Sequence, residues 1–121
     1  MDFVNTGIEE LAVSLTDLEE IAKRYDLVLA GQWDYERVTF DKKYTVSEGV
    51  FYLRVYGLTP NGDVGKNEAV IEFITPQLGK HYYPHGVEYG DDEFYPPFVV
   101  NDCKKTLTGL VKDLQAFNLK K

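Results

Sequence analysis

Four runs of β-branched, aromatic and aliphatic residues follow one another through residues 27–75, with turn residues between them. The shortness of those connections constrains the fold more than any other feature. A parallel crossover needs about a dozen residues or more, whereas a hairpin closes in two to five. Neighbouring runs are therefore predicted to pair antiparallel, as a four-stranded meander. In the first run Leu27, Leu29, Trp33 and Tyr35 share one face and Val28, Ala30, Gln32 and Asp34 the other. Its start is apolar on both faces and is expected to be buried on both. The second run sets Val38, Phe40, Tyr44 and Val46 against Arg37, Thr39, Asp41, Lys43 and Thr45, the pattern of a half-solvated strand. The third, after Ser47-Glu48-Gly49, sets Phe51, Leu53 and Val55 against Val50, Tyr52, Arg54 and Tyr56. A Thr59-Pro60-Asn61-Gly62 loop leads to the fourth, residues 68–75, where Ala69, Ile71 and Phe73 alternate with Glu68, Val70, Glu72 and Ile74.

The flanks supply the cover for this sheet. Residues 8–15, with Leu11, Val13 and Leu15 alternating, read as a short edge strand. Thr16-Asp17-Leu18-Glu19 has the form of a capping box, so a helix is expected to start there. Leu18, Ile21, Ala22 and Tyr25 trace its apolar face, and Glu19/Lys23 and Glu20/Arg24 are spaced as ion pairs on the other. Pro76 ends the fourth run, and residues 76–99 read as an ordered loop carrying Tyr82, Tyr83, Tyr89, Phe94, Tyr95 and Phe98. A second helix is expected from Asn101 as N-cap, with Cys103, Leu107, Leu110, Val111, Leu114 and Phe117 as its buried stripe. The fold class that results is α+β in one domain, residues 1–121. It has a mainly antiparallel sheet of four to five strands, a short helix near the N-terminus, and a longer C-terminal helix packed on it.

Charge excludes some classes of function. The net charge of −7 opposes general nucleic-acid binding, which needs a clustered basic surface. Residues 1–20 hold six acids and no base, whereas the C-terminal end is lysine-rich. No apolar stretch is long enough to cross a bilayer, and the start has no signal-peptide pattern, so neither a membrane nor export is expected. The single cysteine, Cys103, fits a reducing, cytoplasmic compartment and sits on the apolar stripe as a structural residue.

Gly31-Gln32-Trp33-Asp34-Tyr35, with Phe40-Asp41, Leu53-Arg54-Val55 and Thr75-Pro76 further on, resembles the YugN-like family of small bacterial proteins. The resemblance runs from the first helix to the Thr-Pro step and is patchier beyond it. It implies a small α+β fold and a cytosolic bacterial origin, and it carries over no catalytic residues and no cofactor.

Two groups of residues are candidates for a site. His81, His85, Glu88, Asp91 and Asp92 are ligand types for zinc or another divalent ion. Pro84 interrupts any helical spacing of the histidines, and the plainer reading is a pair of loop histidines beside a solvated acidic turn. Trp33, Asp34, Tyr35, Arg37 and Arg54 form the second group, aromatic and arginine side chains suited to a ligand pocket or a subunit contact. Its plainer reading is a core tryptophan with Arg54 paired to Glu68 or Glu72. No phosphate-binding loop or nucleophile elbow is present. The favoured function is a non-catalytic binding or regulatory module acting as a homodimer, because only two helices over several strands leave sheet surface uncovered. The alternative is a small metal-dependent or acid–base enzyme built on residues 81–93.

Overall fold

The computed structural model describes residues 1–30, 36–60 and 69–120. A 3₁₀ turn at Ile8–Glu10 leads into strand β1 (Ala12–Ser14) and helix α1 (Leu15–Lys23). Strands β2 (Val28–Leu29), β3 (Arg37–Val46), β4 (Gly49–Leu58), β5 (Val70–Phe73), β6 (Gln77–His81) and β7 (Val87–Glu88) follow, and helix α2 (Pro97–Gln115) comes last. The main path of the sheet is β1-β5-β4-β3-β2, antiparallel at every pairing, and it contains the expected meander from β2 to β5.

The loop expected over residues 76–99 is partly strand, because β6 and β7 extend the sheet to seven strands. β4 is long enough to hold two neighbours on one edge. β5 pairs with Gly57 and Leu58, and β6 pairs with residues 50–54. The chain passes from one to the other at Pro76, which curls the sheet. Residues 1–3 run beside this corner, with Phe3 N donating to Pro76 O at 2.9 Å and Leu78 N to Met1 O at 2.8 Å. On the far side Leu119 N donates to Ala12 O at 2.7 Å, so the C-terminal tail occupies the outer edge of β1 and leaves it no open ladder there.

The alternation of β3 and β4 sorts the sheet into two faces. Val38, Phe40, Phe51, Leu53, Val55, Ile71, Phe73 and Leu78 point inward and are buried, in one cluster with Leu18, Ile21 and Ala22 of α1 and Val99, Cys103, Leu107, Leu110 and Leu114 of α2. Fully burying a side chain of this kind contributes about 1.5–3 kcal/mol. Both helices are therefore held against the inner face. The outer face holds Arg37, Asp41, Lys43, Tyr52, Arg54, Tyr56, Gln77, Gly79 and His81, which the register sets in opposed pairs.

Several local expectations change. Helix α1 is capped by Ser14, whose Oγ accepts from Asp17 N at 3.2 Å, and not by Thr16 with Glu19. Ser14 is still paired to Val70 in β1, so the helix begins directly where the ladder ends. The surface partners differ too: Lys23 meets Glu20 at 3.3 Å and Arg24 meets Asp113 at 3.4 Å. Helix α2 starts at Pro97, where a proline costs no hydrogen bond, and Asn101 lies inside it. Phe117 lies past the last helical turn and is exposed. In β2 only Leu27, just before the strand, is buried. Val28 and Leu29 are exposed, since this edge strand pairs with β3 alone.

Candidate functional site

Arg54 stands at the centre of the outer face. A two-residue turn, Ser47-Glu48, sets the β3–β4 register so that Asp41 lies directly opposite it. Arg54 Nε donates to Asp41 Oδ1 at 3.2 Å and Nη1 donates to Tyr89 Oη at 2.6 Å. The Tyr52 ring centroid lies 5.5 Å from the guanidinium carbon, within cation–π range. Arg54 therefore pairs with Asp41 and not with Glu72, which instead meets Lys120 at 3.5 Å; Glu68 lies outside the described residues.

Tyr89 reaches Arg54 because β7 folds over Gly79 of β6. A β-carbon on Gly79 would stand 2.4 Å from Val87 Cγ1 and 2.7 Å from the Tyr89 ring, so only glycine lets the ring lie on the strand backbone. Next along β4, Tyr56 Oη donates to Gln77 Oε1 at 2.9 Å, and Gln77 Nε2 donates to Asp2 Oδ1 at 2.9 Å. Arg54, Asp41, Tyr89, Tyr56, Gln77 and Asp2 are thus each held by another of these groups.

The electrostatics follow from that arrangement. Burial lifts the Asp41 carboxyl above its ordinary value, and the adjacent Arg54 charge pulls it partly back. For Arg54 burial acts to lower the guanidinium, but Asp41 and the neighbouring tyrosines outweigh it and raise it. Burial and the bond to Tyr89 push the Tyr56 phenol well above its usual range, so it stays a neutral donor. Arg37, the first residue of β3, is exposed and forms no ion pair among the described residues. It borders a cleft of about 360 Å³ with Asp2, Tyr56, Ile74, Thr75 and Gln77. Trp33, Asp34 and Tyr35, expected beside these arginines, lie outside the described residues.

The second candidate group does not converge in the same way. His81 closes β6 with its ring 5.9 Å from that of Tyr52 in an edge-on contact, and His85 is exposed in the following turn. Glu88 lies in β7 opposite Lys80, and Asp91 and Asp92 stand exposed in the turn beyond it. Among the described residues no three His, Cys, Asp or Glu side chains are grouped so as to hold a metal ion. Tyr82 donates to Glu93, while Tyr83, Phe94 and Phe98 of the same region are exposed.

One polar cluster on the inner face lies outside both groups. Lys42 falls in the apolar phase of β3, between Phe40 and Tyr44. Its Nζ donates to Asp102 Oδ2 at 2.8 Å and to Thr106 Oγ1 at 3.1 Å, and Tyr44 Oη donates to the same carboxylate at 2.5 Å. These bonds fasten α2 to the β3–β4 hairpin. A lysine in an inward phase was the signal for them. Cys103 lies beneath the cluster, fully buried, and burial pushes its thiol up to about 11. Burial and a raised pKa both oppose formation of the thiolate that a nucleophile needs.

No helix among the described residues is long and apolar enough to cross a membrane. A family model described as the YugN-like family matches residues 3–105. The chain is 44% identical over 119 residues to a Bacillus subtilis (strain 168) protein titled uncharacterized protein YlbA, an alignment that covers 98% of this chain and 99% of that one. It is 46% identical to the solved structure of the uncharacterized conserved protein YugN from Geobacillus kaustophilus HTA426, with a TM-score of 0.84 over 96% of both chains. With a match over most of its length, and relatives that share both sequence and fold, the chain belongs to the YugN-like family.

Proposed function

We propose that the protein is a non-catalytic binding or regulatory module of the cytosol that works as a homodimer, two copies joining through the outer faces of their sheets. The observation that carries this reading is that both helices pack on the inner face, while the outer face presents Tyr52, Arg54, Tyr56 and Tyr89 with no helix over them among the described residues. Tyrosine and arginine are the residue types that dominate interface cores. The Arg54 charge at the centre of the face is already met by Asp41, so covering that centre leaves the guanidinium paired. A face that meets its own copy about a two-fold axis also needs no second complementary surface. The buried, unreactive Cys103 suits a reducing compartment. The enzyme reading of residues 81–93 has no matching support, because His81 and His85 are not gathered with other ligand-type side chains.

Native mass spectrometry of the wild-type chain and of Tyr52→Glu tests the proposal. The expected result is a dimer at micromolar concentration that becomes a monomer on the substitution, with the circular dichroism spectrum unchanged. A wild-type monomer at micromolar concentration and above would overturn it, and so would a dimer that Tyr52→Glu leaves intact.

A further inference from the structure

We infer that the cleft at the Arg37 end of the outer face binds a small zwitterion, a molecule bearing both a carboxylate and an ammonium group, such as a free amino acid. The cleft's volume of about 360 Å³ lies in the range of small-ligand sites. Its two charges are of opposite sign and do not neutralise each other. Arg37 and Asp2 both line it, yet no ion pair joins them. Arg54 shows what a satisfied arginine on this face looks like, and among the described residues Arg37 has no ion pair, hydrogen-bonded carboxylate or ring contact of that kind. A free guanidinium offers a flat pair of donors that fits a carboxylate.

The remaining groups orient the other end of the ligand. Tyr56 Oη donates to Gln77 Oε1, which leaves the Gln77 amide nitrogen turned toward Asp2, where it donates to Oδ1. Asp2 Oδ2 has no partner among the described residues and is left as an acceptor for an ammonium group. Ile74, 39% exposed, adds an apolar wall beside the Tyr56 ring for a short side chain. A ligand of one sign meets a like charge in this cleft: a phosphate meets Asp2, and a simple amine meets Arg37. A zwitterion meets an opposite charge at each end.

This inference stands on a different observation from the dimer. Tyr56 borders both places, but Arg37 pairs opposite Leu58 while Tyr52, the residue changed in the dimer test, pairs opposite Lys43, which separates the two substituted positions by about 20 Å along the strands. The test is an NMR titration of the ¹⁵N-labelled full chain with L-alanine, L-leucine and inorganic phosphate. Saturable shifts are expected with an amino acid at the backbone amides of Arg37, Tyr56, Ile74, Thr75 and Gln77. Arg37→Ala and Asp2→Asn should each weaken the binding by about tenfold or more. Both variants should fold, since Arg37 is exposed and asparagine keeps the oxygen that accepts from Gln77. Absence of saturable shifts with either amino acid, phosphate binding as tightly as the amino acids, or an affinity that either variant leaves unchanged would overturn the inference. Native mass spectrometry of Arg37→Ala reads the dimer separately, and its oligomeric state is expected to equal that of the wild type.

Discussion

Replacing Gly109 by alanine sets two effects of similar size against each other. Gly109 lies inside α2, and alanine in a helix interior is favoured over glycine by about 1 kcal/mol. Opposing this, the new β-carbon would stand 2.6 Å from Tyr25 Cε1, 2.8 Å from its Oη and 3.0 Å from Cζ. Those separations are far inside normal contact, so the Tyr25 ring must swing away from α2. Doing so breaks the 2.6 Å bond from its hydroxyl to Asp113 Oδ2, one of the ties between the two helices. Overpacking of this kind costs about 1–3 kcal/mol. The ring is the far end of a half-buried side chain, which places the cost near the middle of that range. The net expectation is a loss of about 1 kcal/mol, a fall in Tm of about 4 °C for a chain this long. Urea denaturation of a double-mutant cycle isolates the cause. In a Tyr25→Ala background Gly109→Ala should stabilise by about 1 kcal/mol, giving a coupling of about 2 kcal/mol. If Gly109→Ala stabilises the wild type as much as it stabilises Tyr25→Ala, Tyr25 does not pack on α2 as described.

Two further outcomes follow from contacts elsewhere. Gly79→Ala should destabilise by about 1–3 kcal/mol, because its β-carbon would meet Val87 and the Tyr89 ring; an unchanged urea midpoint would mean that β7 does not lie on β6. The clamp on α2 should titrate. The bonds from Lys42 and then Tyr44 hold the Asp102 carboxyl below its ordinary value. A carboxyl depressed in the folded state contributes stability that is fully present above its unfolded value of about 4 and is lost as pH falls through the folded one. Lys42→Met should therefore be less stable than the wild type at neutral pH, and the gap should close in acid. A gap in urea midpoint that stays constant from pH 7 to below about 3 would refute the clamp.

The meander was legible because the side chains of its central strand, β4, alternate without a break. Phe51, Leu53 and Val55 are buried, while Tyr52, Arg54 and Tyr56 point outward. The same hairpin also contained the Arg54–Asp41 pair, since a two-residue turn after Val46 places those residues opposite each other, whereas the expected partners, Glu68 and Glu72, belong to the next hairpin. β6 was not legible. Gln77-Leu78-Gly79-Lys80-His81 has one apolar residue and a glycine, and its place beside β4 rests on a pairing more than twenty residues away in the chain. Tyr89 as the partner of Arg54 depends in turn on that strand. The start of α1 was expected at Thr16 with Glu19, but β1 runs to Ser14, and the helix is capped there with Asp17. Of the metal-type residues, spacing could show that no helix joined them, but only the path of β6 and β7 shows where each one sits.

The outer face is ordered although no helix among the described residues covers it, and that is the physical basis for proposing it as a binding surface. Side chains on an uncovered sheet face ordinarily sample several rotamers, and fixing each one on association costs about 0.5–1.5 kcal/mol. Here most of that ordering is already present in the single chain. Tyr89 is held by Arg54 and by the backbone of Gly79, Arg54 by Asp41, Tyr56 by Gln77, and Tyr52 lies between the Arg54 guanidinium and the His81 ring. For four large side chains the ordering avoided on binding amounts to about 2–6 kcal/mol. The hydroxyls and charges that hold these side chains are satisfied within the chain, so a partner that covers the rings need not supply replacements for them. Arg37 departs from this pattern, with its guanidinium exposed at the edge of the cleft. The face thus combines a self-satisfied aromatic centre, suited to a flat contact, with an arginine at its end that has no ion pair among the described residues, suited to a small ligand.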